Sequence, residues 1–117
     1  MTMPRAKRRV WRAALVLMSV VATRIAVASE LVADVWKGPG CICCNLWIDH
    51  LTKAGIEVRV SNTGNTRARA RLGMPTRLGS CHTARINGYV IEGHAPVADI
   101  ARLLKEKPRP VGLSVLG

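Results

Sequence analysis

Residues Leu31–Gly55 read LVADVWKGPGCICCNLWIDHLTKAG, and this stretch decides the fold. Leu31–Trp36 reads as a short buried strand. Lys37-Gly38-Pro39-Gly40 ends it, because Gly and Pro interrupt regular structure. Cys41-Ile42-Cys43-Cys44 follows directly. From Asn45 to Ala54 the apolar residues Leu46, Trp47, Ile48 and Leu51 fall close to helical spacing, and Gly55 stops the run. A strand, a tight loop with three cysteines and a helix are therefore expected in that order.

Downstream of this unit, Ile56–Val60 alternates apolar and polar residues as a half-buried strand does. Ser61–Asn65 is turn-rich, and Arg67–Leu72 reads as a short helix with Arg67, Arg69 and Arg71 forming a solvated face. Gly73-Met74-Pro75 ends it. Thr83–Ile86 and Tyr89–Glu92 are two short strands around Asn87-Gly88. That dipeptide signals a two-residue hairpin, since both turn positions need positive φ. Pro96–Lys107 is an amphipathic helix with Val97, Ile100, Leu103 and Leu104 on its apolar face. Strand, helix, strand, helix, hairpin, helix is the order of a thioredoxin-like α/β fold. It predicts a mixed central sheet with helices on both faces.

Upstream, residues 1–28 form a separate unit. Arg5, Lys7, Arg8, Arg9 and Arg12 precede the apolar run Ala13–Ala22, and Ala26-Val27-Ala28 supplies a small-x-small site. A basic head, a short apolar stretch and such a site make a secretory signal peptide. The run is shorter than the roughly 20 residues that span a bilayer. Residues 29–117 are then expected to form one exported domain with no membrane attachment once the leader is removed. Six of the 18 Lys and Arg residues lie in the leader and all seven acids lie beyond it, so the net charge of +11 falls to +5 in the domain. The basic balance is largely a targeting feature. With Trp36, Trp47 and Tyr89 as the domain's only aromatics, nothing favours nucleic-acid binding.

All four cysteines, Cys41, Cys43, Cys44 and Cys81, belong to the domain. The first three stand at a helix N-terminus, where free N–H groups and the positive helix end favour thiolates. Cys41 and Cys44 have the C-x-x-C redox spacing. Cys43 is a third thiol that a simple dithiol enzyme does not need. Three thiolates on one tight loop suit a soft ion that accepts low coordination, which describes Cu(I). Zn(II) is the alternative, taking four ligands in a tetrahedron.

Cys81 lies in Gly79-Ser80-Cys81-His82-Thr83, just before the first hairpin strand. In a thioredoxin-like fold that loop lies beside the cysteine motif, so Cys81 is expected to face the other three. The bland reading is a small buried hydrophobe. His82, and His94 in Glu92-Gly93-His94-Ala95-Pro96, read either as ligands or as hydrogen-bonding neighbours. Met74 reads as a soft thioether ligand or as core filler. His50 reads as a surface or packing residue.

CICCNLWIDHL, then MPTRLGSCHTARINGYVIEGHAP, then LLKEKP together resemble the CopG-type copper-resistance proteins of Gram-negative bacteria. The resemblance spans nearly all of residues 31–113. It implies a periplasmic location, a thioredoxin-like fold and a Cu(I)–thiolate centre able to hold several ions. Carried over residue by residue, Cys41, Cys43, Cys44 and Cys81 hold the metal, with His82, Glu92 and His94 near it. It also implies a role in copper homeostasis, alongside other periplasmic copper-handling proteins. Such proteins continue into a Gly-, Pro- and Met-rich tail, where this sequence reads Ser114-Val115-Leu116-Gly117. Ligands from such a tail are expected to be missing here.

Two other functions compete with metal binding. A thiol–disulfide oxidoreductase would use Cys41 and Cys44. A disulfide-stapled domain would oxidise all four cysteines, but a bond between the neighbours Cys43 and Cys44 is strained.

Overall fold

The computed structural model describes residues 31–109 and 112–115. The expected leader, residues 1–28, lies outside the described residues. The chain runs β1 (Val32–Lys37), α1 (Ile42–Lys53), β2 (Glu57–Ser61), α2 (Thr66–Leu72), a 3-10 turn (Thr76–Leu78), β3 (His82–Ile86), β4 (Tyr89–Glu92), α3 (Val97–Glu106) and β5 (Gly112–Ser114). The sheet order is β2-β1-β3-β4-β5. β1 pairs parallel with β2, and β4 parallel with β5. The central pairs, β1 with β3 and β3 with β4, are antiparallel. Parallel neighbours need a crossover, and α1 and α3 supply the two crossovers. This is the mixed sheet of a thioredoxin-like α/β fold.

Strand register divides the side chains between the two faces. Ala33 lies opposite Ile86, Val35 opposite Ala84 and Lys37 opposite His82, while Ala84 lies opposite Ile91. Directly paired residues share a face, and most of these join the main core. Trp47 and Leu51 of α1, Ile100 of α3 and Ala95 complete that core. The opposite face carries Trp36, Thr83 and Glu92 in one row. There α2 packs with Ala68 buried and the Arg71 guanidinium over the Trp36 ring, 5.4 Å from its centroid.

Three local features differ from the sequence expectation. Helix α1 begins at Ile42 rather than Asn45, because Cys41 is its N-cap and the Cys41 sulfur accepts the Cys44 N–H at 3.3 Å. Strand β5 was not expected. Its three residues carry no alternation to read, and it exists through pairing with β4. The Arg67–Arg71 run is not uniformly solvated. The Arg69 side chain is only 14% exposed and turns inward to Glu92. At the hairpin tip, Asn87 and Gly88 both have positive φ, as the two-residue turn demands.

Candidate metal centre

The centre forms where the N-terminus of α1 meets the entrance to β3. Sulfur atoms of Cys41, Cys43, Cys44 and Cys81 all lie within 4.8 Å of one another. The expected juxtaposition of Cys81 with the C-x-C-C loop is therefore present. Cys41 and Cys44 are joined by a disulfide, while Cys43 and Cys81 are free thiols at the surface. Cys44 is fully buried. The Cys43 sulfur stands 3.5 Å from that of Cys41. The structure thus holds the oxidised form of the loop, and two of the four sulfurs become ligands only after reduction.

A second set of donors overlaps the first. Cys44, Cys81, His82 and His94 also place one ligand atom each within 4.8 Å of the others. The Cys81 sulfur lies 3.5 Å from His82 Nδ1 and 3.6 Å from His94 Nε2. Its thiol pKa is raised, first by burial and further by the neighbouring Cys43, against a lowering contribution from the Ser80 hydroxyl. Metal coordination is the ordinary way to offset such a rise, because a bound cation favours the thiolate.

His82 is buried between two rings. The Trp47 ring lies 4.3 Å away at 36°, and the His94 ring 5.1 Å away at 27°. Burial, and then His94, lower its pKa to about 4. The imidazole is neutral at pH 7, which is the form that binds metals. Its Nε2 is buried without a hydrogen-bond partner. An unpaired buried nitrogen is costly and calls for an explanation. The ring's other nitrogen, Nδ1, is the one that faces the Cys81 sulfur.

Trp47 ties these parts together. Its ring packs on His82 while its Nε1 donates to Ala95 O at 2.8 Å. Ala95 follows His94, so α1 directly holds the loop that carries the second histidine. Gly93 shapes the same loop. It has φ +78°, and a Cβ there would collide with the carbonyl oxygen of Val115. A cleft of about 470 Å³ opens beside the centre, lined by Cys43, Leu46, Trp47, His50 and His94 among others.

The remaining expected residues lie further out. Glu92 has no exposed surface, and both its oxygens accept hydrogen bonds from protein donors. Met74 is buried beside a separate cavity lined by Leu78, Val90 and Gly112. His50 is exposed at the cleft. Sequence reasoning missed Arg69, Asn65 and the Trp47–His82 stack. A tryptophan one turn beyond Cys44 was the only local hint of that stack.

The fold and the centre together define a thioredoxin-like protein with a cysteine- and histidine-lined site suited to a soft metal. Residues 78–117 match a family described as "Protein of unknown function, DUF411". No curated protein sequence is significantly similar to the chain. Two solved structures are similar, a copper resistance protein CopG in its Form 1 and Form 2. Each shares 41% identity and a TM-score of 0.67, over 74% of this chain and 69% of its own. The chain belongs to the CopG copper-resistance family.

Proposed function

We propose that this protein is a periplasmic Cu(I)-binding protein of copper homeostasis and resistance. The observation that carries the reading is the convergence of four cysteine sulfurs within 4.8 Å. Thiolate sulfur selects Cu(I) over harder cations, and the solved relatives are named for copper resistance. Reduction of the Cys41–Cys44 bond frees two sulfurs at the α1 N-terminus. Cys43 and Cys81 complete the set, and His82 and His94 stand as neighbours or further ligands. Zinc is the competing metal, because four thiolates also satisfy a tetrahedral ion.

Export follows from the leader. No helix among the described residues is long and apolar enough to cross a membrane. Cleavage after Ala28 gives a periplasmic domain that exchanges copper with other copper-handling proteins of that compartment. N-terminal sequencing of the periplasmic product checks this.

A second reading has its own support in the Cys41–Cys44 disulfide at a helix N-terminus, the arrangement of a thiol–disulfide oxidoreductase. One experiment separates the two. Protein purified anaerobically and fully reduced is titrated with Cu(I) and, separately, Zn(II), and its insulin-reductase activity is measured. Tight Cu(I) uptake without turnover supports the binding protein. Turnover without copper uptake supports the oxidoreductase, and preference for Zn(II) overturns the choice of metal.

A further inference from the structure

Cys81 stands on a segment without regular secondary structure. Residues 79–81 precede β3 and belong to no helix or strand. On its C-terminal side Cys81 adjoins the ladder, where His82 pairs with Lys37, and its carbonyl meets the Cys44 sulfur at 3.8 Å. On its N-terminal side no ladder holds the chain. There the neighbouring peptide is held by side chains. Ser80 N–H donates to Glu92 Oε1 at 2.8 Å. The Ser80 carbonyl accepts from Arg69 Nη2 at 2.7 Å and from Asn65 Nδ2 at 3.0 Å. Arg69 Nε returns to the same Glu92 oxygen at 2.8 Å. Asn65 Nδ2 reaches it at 3.4 Å, and the Thr83 hydroxyl donates to Oε2. Both backbone polar groups of Ser80 are thus held by three side chains from α2, its N-cap position and β4.

We propose that Arg69, Asn65 and Glu92 are positioning residues for Cys81: they clamp the Ser80 peptide and thereby set the Cys81 sulfur opposite Cys41, Cys43 and Cys44. The proposal rests on the metal-binding reading for its purpose, although its geometry can be tested without metal.

Stability alone is a weak reason for this pair. The Arg69 side chain is 14% exposed and that of Glu92 is 0% exposed. Desolvating two such charges costs about what their attraction returns, and apolar replacements of a buried pair are often neutral. Its geometry points to positioning instead. Arginine offers two separated donors in a fixed plane, where lysine offers one compact charge. Here Nε and Nη2 serve different acceptors, one on β4 and one on the loop, and so join them rigidly. Gly79 leaves room for this. A Cβ on Gly79 would stand 2.7 Å from Arg69 Cζ, while the backbone there is ordinary extended chain that alanine adopts freely.

The test uses three variants. Arg69→Met with Glu92→Leu removes the clamp in an apolar form. Gly79→Ala displaces the guanidinium and keeps every charge. Arg69→Lys keeps the charge and loses the fork. Oxidised protein is treated with dibromobimane, which fluoresces when it bridges two nearby thiols. Cys43 and Cys81 are the free pair. Reduced protein is titrated with Cu(I) against a chelator. Wild type is expected to bridge, and each variant to bridge several-fold less. Cu(I) affinity should drop about 10- to 100-fold, as when the groups that orient a metal ligand are removed. The melting temperature of the metal-free double variant should stay near wild type, because apolar replacement of both partners of a buried pair is often neutral. A loss of bridging in that variant is then not a loss of fold. Gly79→Ala, which leaves the buried Glu92 carboxylate unpaired, should melt lower.

Wild-type bridging and affinity in both Gly79→Ala and Arg69→Lys overturn the proposal, even if the double variant fails to fold. Absence of bridging in wild type overturns it as well. A wild type that bridges but binds no Cu(I) contradicts the copper reading alone, and the bimane result then decides the clamp.

Discussion

Cys41, Cys43 and Cys44 reach the centre from four consecutive residues, whereas Cys81, His82 and His94 come from the two ends of a hairpin. The first side is built by local physics. A Gly-Pro-Gly break ends β1, Cys41 caps α1, and the helix places the three sulfurs together. The second side depends on contacts far apart in sequence. Trp47 supports His82 and the His94 loop, and Arg69 reaches Glu92 and Ser80. A helix N-terminus can make reactive thiols by itself. Bringing a fourth sulfur and two imidazoles to meet them takes the whole sheet.

Trp47 is where the two sides can be broken apart. It is almost fully buried and contacts both. Trp47→Ala should cost about 3–5 kcal/mol of stability, read as a lowered urea midpoint. It should also free the His94 loop, seen as faster amide exchange at Ala95. A midpoint within error of wild type would mean that the sides are held independently.

Acid should loosen the hairpin side selectively. His82 is held neutral with a pKa of about 4, against an ordinary value of 6.5. The unfolded chain takes up a proton below pH 6.5 and the folded chain does not until about pH 4. Stability from this group is therefore full above pH 6.5 and is lost as pH falls towards 4. The loss approaches about 3 kcal/mol. Urea unfolding of metal-free oxidised protein at pH 7 and pH 4.5 measures it. The dependence should largely vanish in His82→Phe, and an unchanged slope there would assign the effect elsewhere.

Most of the first side was legible in the sequence, and much of the second was not. The strand, cysteine loop and helix of residues 31–55 follow from local signals, as does the Asn87-Gly88 turn. The position of Cys81 was inferred from the fold rather than read from its own neighbours. Arg69 was misread as solvated because alternation along Arg67–Arg71 cannot show which arginine finds a buried carboxylate 23 residues away. Strand β5 was invisible for a related reason, since three residues become a strand only by pairing with β4. Non-local partners leave no periodicity in a sequence.

Smaller effects sharpen the contrast. Gly93→Ala forces a side chain into positive φ, at about 1–2 kcal/mol, and against the Val115 carbonyl. It should lower the melting temperature and perturb the His94 ring resonances while leaving those of α1 in place. Loss of the α1 signals instead would show the sides to be one cooperative unit. The exposed Asp34–Arg85 pair spans β1 and β3 at 2.9 Å away from the centre. Asp34→Asn should change stability by no more than about 1 kcal/mol and leave Cu(I) affinity alone.

The central claim is that Cys81 completes a thiolate centre begun by the C-x-C-C loop. Competitive titration of reduced wild type and Cys81→Ser with Cu(I) tests it most directly. Cys81→Ser is expected to bind fewer copper ions, or to bind them much more weakly, while keeping the wild-type fold. Equal copper content and equal affinity in the two proteins would contradict it.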